Sequence, residues 1–201
     1  IGNVTPNMQA LTTVNPNAEA IGVTRVSGVT TVLTVPSGGL FPGTAALINL
    51  NGYTPDQMYG GFKAVAMTFP RSGRRGRFDR RSDEDIKKDA EKSLKEANEI
   101  MDNAKKYLEL KNSGAELQYY PEMEQLSKVI SKELPLLIEV DAASDIQSAI
   151  KWVADKDIRV IFTGVAEGWR VADELTKAKI PVITGPVQAL PTRESDRYDA
   201  A

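Results

Sequence analysis

Short aliphatic runs alternate with helical periodicity in the C-terminal third of the chain. The runs at 134–140, 159–164 and 180–185 are rich in Val, Ile and Leu and have the length of strands. Between them apolar residues recur every three or four positions, which predicts a helix in each gap, with Ser144 or Asp145 as the N-cap of the first. Continuous apolar strands joined by helices are typical of parallel sheets covered on both faces. The pattern therefore predicts a parallel β-α-β-α-β unit.

The N-terminal third of the chain predicts further strands and a short helix. β-branched and small apolar residues concentrate in the strand segments, and Gly, Pro and Asn mark the turns between them. Residues 1–17, rich in Asn, Thr and Pro, predict a loop with one short turn near Met8. The predicted strands cover residues 29–35, 45–50 and 62–69, and the helix covers residues 18–27.

A long helix is predicted for about residues 82–113, between the two strand-rich parts. Its apolar residues are spaced alternately four and three apart and form one stripe, while Lys, Glu and Asp occupy most other positions. Ser82 with Asp85 forms a capping box at its start, and a shorter helix is predicted for residues 121–132. We expect the stripe to pack on one surface, in the same domain or in another chain. It comprises Ile86, Ala90, Leu94, Ala97, Met101, Ala104 and Leu108.

Composition is that of an ordinary globular domain. The 201 residues are 41% apolar and 26% charged, enough for one domain with a substantial core. A net charge of −2 gives no general attraction to nucleic acid or to an acidic membrane surface. No apolar run approaches the roughly 18 residues of a membrane span, and no signal-peptide pattern opens the chain. Because the sequence opens on Ile1, we expect further residues upstream in the complete protein.

Histidine and cysteine are both absent from the chain. Their absence excludes, within these residues, a Ser-His-Asp triad, a histidine general base, a thiolate nucleophile and any metal site built on imidazole or thiolate. Carboxylates, hydroxyls, lysines, tyrosines and backbone groups remain for chemistry.

Candidate chemical groups stand where the predicted parallel strands end, the edge at which such folds place their sites. Glu139 and Asp141 close the first C-terminal strand, and Glu167 follows the second. Glu139 can ligate a hard divalent cation, although a strand-end carboxylate more often pairs with Lys or Arg or is solvated. Asp141 and Glu167 stand where helices begin, and an acid there is commonly a cap. Lys63, inside an apolar strand, is either a base or carboxylated ligand, or the partner of an acid.

Residues 71–81 contain six arginines. Guanidinium groups pair bidentately with phosphate, so such a loop can bind an anion or nucleic acid. Only Phe78 is interleaved, and the following helix is rich in acids, which favours a solvated or self-paired loop. The Ser-Gly-Gly sequence at 37–39 lacks the companions of a phosphate-binding motif and is interpreted as a plain turn.

The predicted strands are fewer than the eight of a closed (β/α)8 barrel, so the chain is either an open α/β sheet or an interior piece of a barrel. The second interpretation is favoured by segments spread in order over nearly the whole chain: GVTTV at 28–32, PSGGL at 36–40, GTAALIN at 43–49, LLI at 136–138, ASDI at 143–146, ADEL at 172–175 and PVI at 181–183. In these segments the chain resembles the imidazolonepropionase-related branch of the amidohydrolase superfamily. The resemblance implies an α/β fold, a partial (β/α)8 TIM-type barrel with parallel strands. Residues 1–201 then form one incomplete barrel domain, with a long helical insertion at about 82–113.

The resemblance also implies a metal centre and a reaction. In that family, ligands at strand ends hold one or two divalent metals, Zn or similar, that activate water against an amide, imide or related C–N bond. The family's paired histidines would precede this chain, and its aspartate on the last strand would follow it. The position after Ile138, usually a metal-ligand histidine, is Glu139 here, and Thr68 stands where many relatives carry a glutamate. Glu139 is thus the metal ligand predicted within the chain.

Two functions from different classes follow. The leading hypothesis is an interior segment of a metal-dependent hydrolase of small non-peptide or cyclic amides, inactive as this chain alone, whose partners are the remaining barrel segments or another chain. The alternative is a degenerate, non-catalytic barrel that serves as a binding or assembly module, as the missing histidines, Glu139 and Thr68 indicate. Anion binding by the arginine loop is a third possibility. A His-x-His pair upstream and an Asp-bearing strand downstream would favour the enzyme.

Overall fold

The computed structural model describes residues 2–74, 80–114 and 116–185. Within these ranges the chain forms a mixed α/β unit around one sheet, with short 3₁₀ helices at Ala10–Thr13 and Gly168–Val171. The strands are β1 (Thr31–Thr34), β2 (Gly43–Asn49), β3 (Tyr59–Thr68), β4 (Leu136–Val140), β5 (Val160–Gly164) and β6 (Val182–Thr184). The helices are α1 (Glu19–Val26), α2 (Pro55–Met58), α3 (Asp83–Asn112), α4 (Pro121–Ile130), α5 (Ala143–Ala154) and α6 (Ala172–Ala178).

The six described strands lie in the order of the sequence and curl into half a barrel. Strands β3 to β6 are parallel to their neighbours, with Leu136 of β4 opposite Val65 of β3 and Val160 of β5. The predicted parallel β-α-β-α-β unit is therefore confirmed for β4, β5 and β6, and β3 extends it by one strand.

The N-terminal strands do not share this direction. Strand β1 pairs antiparallel with β2, and β2 pairs antiparallel with β3. The expectation of parallel strands throughout is wrong for this part of the sheet. The physical reason is the length of the connections, residues 35–42 and 50–58, which are too short for the crossover of about a dozen residues or more that a parallel return requires.

Helix α3 packs its apolar stripe on α4 and on the sheet. Ala97, Met101 and Ala104 are buried together with Leu126 of α4 and Ile138 of β4 in the main core. The prediction of a covered stripe is confirmed. Its last member differs, because Tyr107 is buried and Leu108 is only half-buried. The expected insertion at 82–113 corresponds to α3, which lies in the chain between β3 and β4; its status as an insertion in a barrel stays a prediction.

The two faces of the sheet differ. Leu136, Ile138 and Val140 of β4 face the helices. Leu137 points to the opposite side, here called the open face, because side chains alternate along a strand. On the open face Ala45, Ala64 and Leu137 are buried under half-buried neighbours: Leu33, Phe62 and Ile161.

Two helix starts differ in how well sequence predicted them. Ser82 caps α3 as expected, since its Oγ accepts a hydrogen bond from the Asp85 backbone N–H at 3.0 Å. The predicted cap of α5 is wrong, because the N-cap is Ala142, which has no side-chain hydrogen bond to offer. Asp145 lies inside the first turn of α5 and accepts hydrogen bonds from another part of the chain.

No described helix combines the length and the apolar character that crossing a bilayer requires.

Candidate functional site

The carboxyl ends of three parallel strands meet at one edge of the sheet. In the register, Thr68 of β3 lies beside Glu139 of β4, and Glu139 lies beside Thr163 of β5. Glu139 shares the face of Leu137, so its carboxylate is on the open face, between two threonine positions. This edge, with the loops that follow it, is the strand-end site.

Arg71 brings a positive charge to this edge. It lies three residues beyond the end of β3, and its Nη2 donates a hydrogen bond to Asp141 Oδ2 at 3.1 Å. The same nitrogen is 4.0 Å from Glu139 Oε1. The three side chains are 39–48% exposed, so we expect each pair to contribute about 0–1 kcal/mol to stability. Their main effect is to set positions and charge. The guanidinium near Glu139 corresponds to the first alternative for a strand-end carboxylate, a pair with Lys or Arg.

The backbone that carries Arg71 is fixed by its neighbour Ser72. The Ser72 N–H donates to Asp145 Oδ1 at 3.1 Å, and the Ser72 hydroxyl donates to the same oxygen. Asp145 is only 4% exposed, so this anchor is screened from water far more than the Arg71 pairs are. The loop after β3 is thereby fastened to the first turn of α5.

Gly164 makes room for Asp141 at the end of β5. Its φ is +87°, a conformation that favours glycine. A Cβ at this position would lie 2.3 Å from Asp141 Oδ1. A side chain here would therefore displace the carboxylate that Arg71 contacts.

Glu167 lies at the same edge and binds the start of a helix. Its Oε2 accepts a hydrogen bond from the Ala143 N–H at 2.8 Å, and its own N–H donates to the Asp141 carbonyl at 2.9 Å. This contact places a carboxylate at the N-terminus of α5, where the helix dipole favours it. The geometry agrees with the cap interpretation, although the helix is the one that precedes Glu167 in the chain.

Lys63 is not part of this arrangement. It precedes Thr68 by five residues in β3, roughly 17 Å along the strand, near the opposite edge. Its Nζ lies 5.3 Å from the centroid of the Tyr59 ring, a cation–π contact on a half-buried side chain. The structure thus brings Thr68, Glu139, Asp141 and Glu167 to one edge and leaves Lys63 apart.

The arginine loop is largely paired with acids where it is described. Besides Arg71, Arg74 Nε lies 2.9 Å from Asp83 Oδ1 and Arg81 Nη1 lies 3.4 Å from Asp89 Oδ2. These contacts support the self-paired interpretation for the described arginines. Arg75, Arg77 and Phe78 lie outside the described residues.

A cleft of about 240 Å³ lies next to the strand-end site. Thr68, Phe69 and Arg71 line one side, and residues of the first turns of α3, among them Ile86 and Ser93, line the other. A small molecule in this cleft would contact Arg71 and the end of β3.

A divalent metal at this edge does not fit the residues present. The Arg71 guanidinium lies against both Asp141 and Glu139, where its charge would repel a metal cation. In the described ranges no three carboxylates are grouped closely enough to hold a metal ion. Two carboxylates alone hold Mg or Ca weakly, with most of the ion's waters retained. That Glu139 ligates a metal stays a prediction, and the ion pair argues against it.

Sequence reasoning missed three members of the site. The sequence pattern predicts Arg71 only as part of an arginine loop and Asp145 only as a helix cap, and it predicts no role for Ser72. One signal was present: Phe69-Pro70 ends the strand, so Arg71 had to lie at the same edge as Glu139 once β3 and β4 were parallel neighbours. The hydrogen bonds from Ser72 to Asp145 carry no such signal, because they join residues 73 positions apart.

The fold and this edge define a half-barrel with its polar groups at the carboxyl ends of parallel strands. The chain has an amidohydrolase-like fold: it is similar to the crystal structure of an amidohydrolase from Thermotoga maritima MSB8, with a TM-score of 0.80 and 21% sequence identity. The similarity covers 96% of this chain and 51% of the Thermotoga chain, so this chain spans about half of that protein. No protein-family model and no curated protein sequence matches the chain.

Proposed function

We propose that this chain is a segment of an amidohydrolase-like hydrolase whose complete chain cleaves C–N bonds in small non-peptide or cyclic amides, and that the segment alone is inactive. The observation that supports this most strongly is the strand-end site. Thr68, Glu139 and Asp141 converge on the carboxyl edge of a half-barrel whose fold an amidohydrolase shares. In barrels of this kind the chemistry occurs at that edge.

The half-barrel needs further segments to be complete. Among the described strands nothing pairs with the outer edges of β1 and β6, and such edges present unpaired backbone groups. Ile183 of β6 is 40% exposed, and Phe62 and Leu33 on the open face are half-buried. In this proposal the partners are the remaining barrel segments of the same polypeptide or another chain, which would cover the open face and extend both edges.

The reaction proposed is hydrolysis. Water adds across the C–N bond, the carbonyl carbon keeps the hydroxyl oxygen, and the leaving nitrogen takes a proton. The substrate would lie over the open face at the strand ends, next to Glu139 and the cleft beside Arg71. Placement in the imidazolonepropionase-related branch is part of this proposal and favours a cyclic amide. The metal that the resemblance implies would take its ligands from segments outside this chain, since the described residues do not fit one.

The test compares the product of the full-length gene with the 201-residue chain. Both are assayed with a panel of cyclic amides, cyclic ureas and N-acyl amino acids, with release of the free carboxylate measured by chromatography. We expect turnover by the complete protein and none by the segment. A Glu139→Gln variant of the complete protein is the site control, and Glu99→Gln, an exposed acid on α3, is the matched control for loss of one carboxylate. Absence of turnover by the complete protein across the panel would refute the proposal.

A non-catalytic barrel is the second candidate, and one observation favours it. The guanidinium of Arg71 is hydrogen-bonded to Asp141 and lies 4.0 Å from Glu139, so it offsets one of the two negative charges that would otherwise serve chemistry at this edge. If the complete protein binds members of the panel in calorimetry without converting them, the binding-module function replaces the hydrolase.

A further inference from the structure

The carboxylates of Glu139 and Asp141 share one cation, and the chain itself supplies it. Arg71 Nη2 lies 3.1 Å from Asp141 Oδ2 and 4.0 Å from Glu139 Oε1. These carboxylates come from one strand end, while the arginine comes from the loop after the neighbouring strand. The positive charge between these two strand ends is therefore a guanidinium.

The position of this guanidinium is built into the fold. Ser72 follows Arg71 directly, and its N–H and hydroxyl both donate to the buried carboxylate of Asp145. On the other side Gly164 leaves the space that Asp141 occupies, since any Cβ there would lie 2.3 Å from Asp141 Oδ1. Two separate features, one under the arginine and one under the aspartate, therefore hold the pair together.

An internal cation of this kind excludes an external one. Two carboxylates without a third protein ligand bind a divalent ion weakly, on the order of millimolar. A guanidinium held by its own backbone competes at a far higher effective concentration. An added ion would have to displace Arg71 and leave its charge beside the metal.

We propose that Arg71 is the resident cation of the strand-end site and takes the place of a divalent metal between Glu139 and Asp141. The inference goes beyond the proposed function, because it concerns which cation the two carboxylates hold and needs no turnover. It implies that removal of the arginine creates a weak divalent-cation site where the native chain has none.

The experiment measures Mn²⁺ binding, since Mn²⁺ suits carboxylate ligands and its free form is seen by electron paramagnetic resonance. The full natural chain is compared with Arg71→Met, Arg71→Met combined with Glu139→Gln, and Glu139→Gln alone. Methionine keeps an unbranched apolar stem and removes the charge. Arg74→Met is the matched control, because it removes an arginine from the same loop whose partner, Asp83, lies outside the site.

We expect Arg71→Met to bind about one more equivalent of Mn²⁺ than the parent, with a dissociation constant on the order of millimolar, and Glu139→Gln to abolish the gain. Arg74→Met should leave binding as in the parent. The inference is overturned if Arg71→Met gains no ion while circular dichroism shows it folded. It is also overturned if the parent binds an ion that Glu139→Gln alone removes, a comparison that does not depend on the folding of Arg71→Met. Neither result bears on turnover, so failure here is distinct from failure of the proposed function.

Discussion

Replacement of Gly164 by alanine tests whether Asp141 is held against the end of β5. The backbone at Gly164 has φ +87°, and the new Cβ would lie 2.3 Å from Asp141 Oδ1. Two penalties result. The left-handed conformation is strained for alanine. In addition, the Asp141 carboxylate must rotate away from Arg71.

The size of each penalty can be separated with a second glycine. Gly28 has φ +92°, and a Cβ there would meet nothing within 4 Å. Gly28→Ala should therefore lower the free energy of unfolding by about 1–2 kcal/mol through the backbone conformation alone. Gly164→Ala should lose the same free energy through its backbone and a further amount through the displacement of Asp141. That second part comprises a strained rotamer, about 0.5–1.5 kcal/mol, and a half-exposed ion pair, about 0–1 kcal/mol. We therefore expect the free energy of unfolding of Gly164→Ala to be about 1–2 kcal/mol lower than that of Gly28→Ala.

Thermal unfolding followed by circular dichroism measures this difference. For a chain of this size 1 kcal/mol corresponds to about 2–4 °C in the unfolding midpoint, so the two variants should differ by several degrees. The same pair of glycine variants is then made in an Asp141→Ala background. Without the Asp141 carboxylate the clash is gone, and the two midpoints should fall by equal amounts.

Equal destabilisation by the two glycine variants in the native background would show that Asp141 does not occupy this space. A gap that persists after Asp141→Ala would assign the cost to some other neighbour of Gly164. Either result would refute the placement of Asp141, and with it the Arg71 contact on which the resident-cation inference depends.

Three further predictions concern buried contacts and an ion pair that hold the helices on the sheet. Thr44→Val should cost about 2–4 kcal/mol, because the buried Thr44 hydroxyl donates to a backbone carbonyl at 2.7 Å and accepts from Gln125 Nε2 at 3.0 Å, and both partners would lose it. Ala97→Asp should cost several kcal/mol, because Ala97 is fully buried in α3 and the carboxylate would have no partner. Glu124→Gln should flatten the acid side of the stability profile. The Lys111 ammonium, 2.7 Å away, holds the pKa of Glu124 below its usual value. That depressed pKa adds stability above the unfolded-state pKa, and the gain is lost as the pH falls through the folded-state pKa.

Each of these has a control on the same element or sheet, measured by chemical unfolding. Thr31→Val, at the exposed first residue of β1, and Asn103→Asp, on the solvent side of α3, should both stay within about 0.5 kcal/mol of the parent. For Glu124→Gln the control is the same substitution made in a Lys111→Met background, where it should change the acid side of the stability profile less. If Thr44→Val or Ala97→Asp lowered the free energy of unfolding no more than its control does, the buried contacts described for that residue would be absent. An unchanged acid profile in Glu124→Gln would exclude its pair with Lys111.

The secondary structure followed largely from local pattern. Each predicted strand and each long helix is present, with ends that differ by a few residues, because side-chain alternation and three-to-four spacing are properties of neighbouring residues. The start of α3 at Ser82 is of the same kind, since the cap and its partner Asp85 lie within one turn. The parallel arrangement of β4, β5 and β6 was also predictable, because each helical crossover leaves little choice of direction.

Local pattern did not determine which distant segments of the chain come into contact. The antiparallel direction of β1 and β2 could have been inferred from their short connections, although the pattern within each strand fits either direction. Tyr107, and not Leu108, is buried in the stripe because α4 lies against this side of α3, where the Tyr107 hydroxyl donates to Glu124 Oε2 at 3.4 Å. The same holds at the site. Arg71 and Asp141 are 70 positions apart, and Ser72 and Asp145 are 73 apart. Only the parallel pairing of β3 with β4 brings these side chains within hydrogen-bond distance, because such bonds act over about 3 Å and depend on tertiary structure to close the separation along the chain.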